Sequence, residues 1–542
     1  MPPRPGLILA AVCLPVFIGA LDLTIISAVL PAVIADLRVP LQTGLDTAAW
    51  AVTGYLLAYA VSMTFMGRVS DVWGRRRVYL VCLVIFFAGS WWVAASPDWP
   101  AQIAYRLTRL VAGGRPDRSL MALYALIFGR VVQAFGAGAM VPVSMALVAD
   151  LYPPERRALP LGVVGAVDTA GWVLGHLYGG IVAQFFAWPW LFWINLPIVV
   201  LMFGVTAWAL KDLEAAPVRV PIDWIGALLI ALALTGLNLG LGASESAPGR
   251  VDSGAGPGYA PLALFVGLLG FALFLWIERR TPHPLMNLRL FTDRDVSSAS
   301  VMNLLIGFCL MVGLVSVPLF INVAGAKDSG QGALVSGYLL SAFTVPLALA
   351  AIPGGWLADR LGYRWTALVG MLIALAGFGL MTRWQPAMAA QAVGFVSGAR
   401  SPEATAGTLG LAAGLLGAGV GLGLTIAPIG AAVVNGAGES ERGMASAVVI
   451  ILRLIGMSLS VSTLTAYGLR RSTEISRELL EGVPLTDFAR IADAAVLAVT
   501  RVTTEMALIA LAVGAAALLP ALLLRRRNSP GNADDADLTE AR

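Results

Sequence analysis

The chain is organised by long apolar stretches separated by short polar segments. These stretches fall near residues 7–36, 48–68, 78–96, 119–149, 159–184, 190–210, 223–243, 260–278, 296–322, 333–358, 365–385, 407–434, 442–468 and 494–524. Such runs match the roughly 20 apolar residues that an α-helix needs to cross a hydrocarbon core of about 30 Å. Because that core holds no water, each segment must satisfy its own backbone hydrogen bonds, which favours helices. The pattern predicts an all-α membrane protein with fourteen spanning helices.

The composition supports this interpretation and excludes other classes. Hydrophobic residues make up 58% and charged residues 13% of the 542 positions, whereas soluble domains carry roughly 25% charged residues. The 59 glycines recur inside the apolar runs, as is typical of helices packed closely in lipid. The net charge of +4 comes from arginines scattered over short loops, so no nucleic-acid partner is expected. Cys13, Cys82 and Cys309 lie within apolar segments, so no disulfide framework is expected.

The basic loops predict which side of the membrane holds the chain termini. An even number of spans places both termini on one side. The shortest arginine-dense loop, 67–77, falls on that side, and short loops rich in arginine and lysine stay in the cytoplasm. We therefore expect a multi-pass membrane protein with both termini cytoplasmic. The polar tail, 528–542, is predicted to be disordered.

Two hydrophilic segments are expected on the opposite side. Residues 97–118 are interpreted as an unusually basic loop. Residues 469–493 have a helical period that breaks at Gly482 to Pro484. If this period continues that of the flanking spans, a helix from about 442 to 480 would be about 58 Å long, at about 1.5 Å per residue. The alternative is an ordinary amphipathic helix that lies on the bilayer.

One loop pattern occurs twice. The first copy comprises Gly67, Asp71, Gly74 and Arg75, and the second comprises Gly355, Asp359, Gly362 and Arg364. Glycine permits a tight turn, aspartate is favoured at a helix N-terminus, and Asp150 is the predicted partner of Arg75. Because transporters often consist of internal repeats, we predict six-helix bundles at 1–210 and 296–527. The linker between them, 211–295, would contribute two extra helices.

These motifs resemble those of the major facilitator superfamily. The repeated loop resembles its motif A. The segments Leu21 to Pro31 and Arg130 to Gly138 are similar to the first-helix motif and motif B of the branch of fourteen-helix drug:proton antiporters. The resemblance implies the major facilitator fold, with two extra central helices between the bundles. It also implies proton-coupled export by alternating access, powered by the proton gradient without a cofactor.

The fifth span resembles motif C, the antiporter signature, with one departure. The matching residues are Gly171, Gly175, His176, Gly179 and Gly180, and His176 stands where the family has proline. Proline would kink this helix by removing a backbone donor, whereas histidine leaves that donor in place. The departure leaves open whether antiport is retained. The imidazole could titrate near neutral pH or could serve as a packing residue.

A narrower resemblance concerns the cargo. The run Gly443 to Met457 and the long hydrophilic segment after Gly468 look like those of the mycobacterial triacylglyceride exporters, which work beside a lipoprotein. That resemblance implies a lipid or similarly hydrophobic cargo taken from the membrane, and a lipoprotein as a candidate partner.

Four ionisable residues lie within the predicted spans: Asp22, Arg130, Asp168 and Arg453. Since burying each costs roughly 2.5–3.5 kcal/mol even on insertion scales, such residues usually serve a function. Asp22 and Arg130 lie at similar depth, and a conformational change that parts them would change whether the carboxyl holds a proton. The alternative is a static pair. Arg453 could pair with Asp168 or Asp71, as an interdomain latch or a contact with cargo.

Other functions fit the sequence less well. Import of a polar nutrient would call for more asparagine, glutamine and charge in the cavity helices. A primary pump needs a glycine-rich phosphate loop with a lysine, and neither Lys211 nor Lys327 sits in one. With two histidines, no metal cluster and no nucleophile–base spacing, the chain is not expected to be an enzyme. Multidrug efflux and lipid export both remain open.

Overall fold

The computed structural model describes most of the chain. The described residues are 5–39, 41–112, 116–212, 223–242, 260–281, 288–325, 329–398, 401–438, 441–481 and 487–525. Within these ranges the secondary structure is helical, without a strand, as the hydropathy pattern predicted. The tail that was predicted to be disordered and the break at 482–484 lie outside these ranges.

Seventeen α-helices occur in the described ranges. They are α1 (Pro5–Asp36), α2 (Leu41–Trp73), α3 (Arg75–Ala94), α4 (Trp99–Ala112), α5 (Arg118–Gly138), α6 (Met140–Leu151), α7 (Ala158–Phe185), α8 (Trp190–Ala209), α9 (Trp224–Gly242), α10 (Ala260–Glu278), α11 (Arg294–Ala324), α12 (Ser329–Leu361), α13 (Tyr363–Met381), α14 (Pro386–Val396), α15 (Pro402–Gly436), α16 (Arg442–Leu480) and α17 (Phe488–Leu523).

Each of the fourteen predicted spans coincides with one of these helices or, for 119–149, with the pair α5 and α6. Eleven segments of the described residues are long and apolar enough to cross a membrane. The three predicted spans beyond those eleven coincide with α2, α7 and α9. The all-α membrane fold is therefore confirmed.

The fourth span is interrupted where the sequence predicted one continuous helix. Helix α5 ends at Gly138 and α6 begins at Met140. Pro142 lies in the first turn of α6, and its ring would clash with the carbonyl of the fourth residue before it in an unbroken helix. The break at Ala139 is the local solution to that clash.

The segment 97–118 is more ordered than a basic loop. Helix α4 occupies Trp99–Ala112, so the interpretation of this segment as a loop was wrong. The prediction rested on apolar runs of spanning length, and a 14-residue amphipathic helix contains no such run. Helix α14, of 11 residues, was missed for the same reason.

The last two helices are longer than a bilayer core. Helix α16 has 39 residues and α17 has 36, which correspond to about 58 Å and about 54 Å at about 1.5 Å per residue. The hydrocarbon core is about 30 Å thick. The continuous period at 469–480 thus belongs to one long helix, and it does not form a separate loop helix.

The contacts divide the chain into two compact units. One comes mainly from the N-terminal half of the sequence and the other mainly from the C-terminal half, and each also includes a segment from the opposite half. The first unit comprises Met1–Tyr152, Val164–Leu288 and Gly438–Glu474, and the second comprises Pro153–Val163, Arg289–Ala437 and Ile475–Arg542. The first turns of α7 therefore pack within the second unit, and most of α16 packs within the first. This exchange places both copies of the repeated loop beside a helix N-terminus.

Candidate functional site

A buried ion pair joins α1 and α5 in the first unit. Arg130 Nη1 lies 2.5 Å from Asp22 Oδ2, and Arg130 Nη2 donates to the Asp22 carbonyl at 3.1 Å. Both side chains are fully buried. The similar depth of the two residues and the family resemblance predicted that they could meet, and the structure brings them together across 108 positions.

Polar and aromatic neighbours complete the site around this pair. Arg130 Nη1 donates to Gln133 Oε1 at 2.7 Å, and Gln133 Nε2 donates to Ser90 Oγ at 2.8 Å. The guanidinium carbon of Arg130 lies 3.9 Å from the centre of the Tyr55 ring, within the range of a cation–π contact. Such a network holds a charge inside lipid at reduced cost, because each member stabilises the next.

Asn195 is a member of this site that the sequence search missed. Its Nδ2 atom lies 3.4 Å from Asp22 Oδ1, and its side chain is buried in α8. The available signal was a lone amide within an otherwise apolar span, and polar residues within spans usually face the bundle interior. Asn195 thus donates to Oδ1 of the carboxylate, whereas Arg130 Nη1 donates to Oδ2.

The glycines of motif C bring α7 against α1 beside Asp22. A Cβ atom at Gly171 would lie 2.6 Å from the Phe17 carbonyl oxygen, and one at Gly175 would overlap the Thr24 hydroxyl. Thr24 Oγ1 in turn donates to the Trp172 carbonyl at 2.9 Å. Only small residues allow this approach of two backbones.

The remaining motif C positions are less informative about the site around Asp22. Gly179 is buried, and α7 runs unbroken from Ala158 to Phe185. The His176 side chain and the surroundings of Gly180 lie outside the described part of the chain, so the role of the imidazole stays a prediction.

The second predicted intramembrane pair is looser than the first. Arg453 Nη2 lies 3.9 Å from Asp168 Oδ2, so Arg453 approaches Asp168, and Asp71 contacts other groups. Asp168 Oδ1 and Trp172 Nε1 are buried, and neither has a hydrogen-bond partner in the part of the chain that the structure describes. The roles of latch and cargo contact both stay predictions.

The first copy of the repeated loop lies at the N-terminus of α16. Asp71 Oδ1 accepts from the Gly443 backbone N–H at 3.0 Å, and Asp71 Oδ2 accepts from the Met444 N–H at 3.3 Å. These N–H groups have no partner within the helix, and the helix dipole favours a carboxylate there. Burial raises the pKa of Asp71 from 3.8 to about 6, although the Arg75 guanidinium opposes that shift.

Asp150 completes this loop with two arginines. Arg75 Nε donates to Asp150 Oδ2, and Arg75 Nη1 donates to Asp71 Oδ1 at 3.0 Å. Arg442 Nη1 donates to Asp150 Oδ1 at 2.8 Å. The structure thus brings together Arg75 and Asp150 as predicted, and adds Arg442, which the sequence search did not single out.

Both glycines of this loop allow a backbone geometry that a residue with a side chain would hinder. Gly74 has a φ of 91°, a left-handed conformation that other residues adopt only with strain. A Cβ atom at Gly67 would lie 2.9 Å from the Gly443 carbonyl oxygen. Gly74 therefore permits the turn, and Gly67 permits the close approach of α16.

The second copy repeats this arrangement within the second unit. Asp359 Oδ1 and Oδ2 accept from the Ala158 and Leu159 backbone N–H groups, both at 3.1 Å, at the N-terminus of α7. Gly362 has a φ of 85°, and a Cβ atom at Gly355 would lie 2.5 Å from the Ala158 carbonyl oxygen. The sequence repeat is thus a repeat of geometry.

The two copies differ in charge at two positions. At the end of α15, where the first copy has Asp150 at the end of α6, the second has Asn435. Its Oδ1 atom accepts from Arg157 Nη1 at 2.7 Å, and its Nδ2 atom donates to the Tyr363 hydroxyl at 2.6 Å. Tyr363 occupies the position that Arg75 has in the first copy, directly after the second glycine. Arg364, the predicted counterpart of Arg75, lies near the Trp365 ring, with 6.0 Å to its centre.

The chain is similar to known proteins along most of its length. The sequence profile of the Major Facilitator Superfamily matches residues 12–461. A triacylglyceride transporter of Mycolicibacterium hassiacum is 32% identical over 483 residues, 88% of this chain and 82% of that protein. A probable triacylglyceride transporter of Mycobacterium leprae is 31% identical over 525 residues, 96% of both chains. A triacylglyceride transporter of Mycobacterium tuberculosis is 32% identical over 478 residues, 88% of this chain and 85% of that protein.

Solved structures share the fold at low sequence identity. The human organic anion transporter MFSD10 matches with a TM-score of 0.55 and 16% identity, over 96% of this chain and all of that one. The proton:xylose symporter XylE matches with a TM-score of 0.53 and 13% identity, over 96% of each chain. At these identities the likeness concerns the fold alone.

Proposed function

Because this chain belongs to the major facilitator superfamily, we propose that this transporter exports triacylglyceride-like lipids, driven by protons through alternating access. The observation that supports the cargo most strongly is the 31–32% identity to triacylglyceride transporters over 88–96% of the chain. The solved structures, at 13–16% identity, bear on the fold and leave the cargo to other evidence.

The shape of the helices suits a cargo of this kind. Triacylglycerides dissolve in the hydrocarbon core and not in water, so an exporter must shield them beyond the membrane surface. Helices α16 and α17, at about 58 Å and about 54 Å, are each longer than that core, and their projecting ends are the proposed region of shielding. A lipoprotein that receives the lipid at their far ends is the proposed partner.

The proton coupling is proposed for Asp22. Its carboxylate is buried beside Arg130, and opposite charge favours the ionised form. When the transport cycle separates the two, the carboxyl would take up a proton, and when they meet again it would release one. The proposed setting is the bacterial inner membrane with cytoplasmic termini, and the proposed organisation is two six-helix bundles flanking α9 and α10.

The test uses purified transporter in proteoliposomes that contain a fluorescent triacylglyceride. An imposed pH gradient is expected to drive movement of the lipid to acceptor vesicles, and an uncoupler is expected to stop it. Asp22→Asn is expected to abolish the gradient dependence. Asp36→Asn is the matched control, because Asp36 lies on the same helix and accepts from Trp188 Nε1 at 2.9 Å.

Three results would overturn the proposal. Gradient-driven transport that persists in Asp22→Asn would remove the coupling role. Uncoupler-sensitive efflux of a cationic dye without lipid movement would replace lipid export by multidrug efflux, the second candidate. Gradient-driven uptake of a polar nutrient without either would indicate an importer.

A further inference from the structure

Helix α4 is too short to span the membrane and has an exposed apolar face. Its 14 residues extend about 21 Å, at about 1.5 Å per residue, against a core of about 30 Å. Four side chains form what we term the apolar stripe: Ile103, Leu107, Leu110 and Val111, which are 40%, 57%, 82% and 88% exposed. Their spacing places them on one side of the helix.

The opposite side of α4 is attached to the first unit. Ala101 packs against the buried cluster at this end of the bundle. Thr108 Oγ1 donates to Met121 Sδ of α5 at 3.3 Å, and the guanidinium of Arg118 lies 5.7 Å from the centre of the Tyr105 ring. These contacts fix which face of α4 points away from the bundle, and that face is the apolar stripe.

A third face of α4 is basic. Arg106 and Arg109 are exposed and project, at about 100° per residue, from the side between the apolar stripe and the packed face. Gln102 is exposed on the same side. An apolar face beside a basic face is the pattern of helices that lie in the plane of a membrane with anionic lipids.

An aromatic cluster holds the start of α4 at the end of α3. The centre of the Trp99 ring lies 5.4 Å from that of Trp91 and 5.0 Å from that of Trp92. The ring centres of Trp92 and Phe128 are 5.2 Å apart. Trp91 and Phe128 are exposed on the flank of the bundle. Tryptophan rings of this kind concentrate at the boundary between the acyl chains and the head groups, and this places α4 at the depth of that boundary.

We propose that α4 is an interfacial helix, with the apolar stripe among the acyl chains and Arg106 and Arg109 on anionic lipid head groups. Charge complementarity and the continuity of α4 with the aromatic boundary select a lipid surface as its partner. The helix lies at the end of α3 remote from the loop at Gly67, so it binds the leaflet opposite to that loop. This inference does not depend on the identity of the cargo.

The test uses the full transporter in nanodiscs that contain phosphatidylglycerol, with a nitroxide label at one introduced cysteine. Leu110→Cys and Gln102→Cys report the apolar stripe and the basic side, and the native cysteines are buried. Labels at 110 are expected to collide more with oxygen and less with a water-soluble nickel reagent than labels at 102. Val111→Cys provides a second position should Leu110→Cys fold poorly.

The charge contribution is tested in the same assay. The double variant Arg106→Gln with Arg109→Gln is expected to lower the protection of the label at 110 from the nickel reagent. The protection should fall to the value measured in nanodiscs of phosphatidylcholine alone. Arg279→Gln with Arg383→Gln, which removes two exposed arginines elsewhere, is expected to leave it unchanged.

Either of two results would overturn the proposal. Equal access of the nickel reagent to labels at 110 and 102 would place the stripe in water. Protection of the label at 110 from both oxygen and nickel would show a protein contact, such as a second copy or a partner, in place of lipid.

Discussion

The cost of breaking the pair Asp22–Arg130 can be estimated from its burial. Both side chains are fully buried, and removal of one partner from a buried ion pair costs about 3–5 kcal/mol, because the other charge is left uncompensated. Asp22→Asn leaves the guanidinium with Gln133, a carbonyl and the Tyr55 ring, so we expect about 3 kcal/mol. Arg130→Gln leaves the carboxylate with Asn195, so we expect about 4 kcal/mol.

The double variant measures how strongly the two residues depend on each other. Asp22→Asn with Arg130→Gln leaves no charge at the site, so its destabilisation is expected to fall short of the sum of the single variants by about 2–3 kcal/mol. The assay is unfolding of the purified protein in micelles, followed by tryptophan fluorescence. Asp168→Asn with Arg453→Gln is the matched cycle, and because its 3.9 Å gap is too long for a hydrogen bond, its coupling energy is expected to be smaller than that of Asp22 and Arg130.

An additive cycle for Asp22 and Arg130 would refute this reasoning. It would mean that the two groups are stabilised by their separate neighbours and do not depend on each other. Equal coupling in the two cycles would refute the link between distance and energy.

Three further predictions concern the repeated loops. Gly74→Ala is expected to destabilise the purified protein by about 1–2 kcal/mol in thermal unfolding, because it forces a side chain into left-handed backbone. Gly204→Ala, in helix α8 with open space around it, is the control and is expected to be neutral or stabilising in the same assay. Folding raises the pKa of Asp71 from 3.8 to about 6, so the folded chain binds this proton more tightly, and the stability that this group contributes is lost as pH rises from about 4 to about 6. The melting temperature of the wild type is therefore expected to fall more between pH 4.5 and 7 than that of Asp71→Asn. Parallel curves of melting temperature against pH for the two proteins would contradict this. Asn435→Asp places a carboxylate against Arg157 and is expected to stabilise the protein by about 1 kcal/mol through a charge-assisted bond; a lower melting temperature would contradict it.

The sequence alone determined the elements and the repeat. An apolar run of about 20 residues becomes a helix in lipid because its backbone has no other hydrogen-bond partner, so hydropathy located helices at all fourteen predicted positions. Gly74 and Gly362, with φ of 91° and 85°, were recognisable because a turn of that kind nearly requires glycine. Helix α4 was missed because a short amphipathic helix gives no run of spanning length.

Only the tertiary structure decided which groups meet. That Arg453 approaches Asp168 at 3.9 Å, while Asp71 caps α16, depends on how helices far apart in sequence pack. The same holds for Asn195 beside Asp22 and for the Tyr363 hydroxyl beside Asn435. Helix formation is local, whereas partner choice among buried charges depends on the depth, rotation and approach of several helices at once, which no single segment encodes.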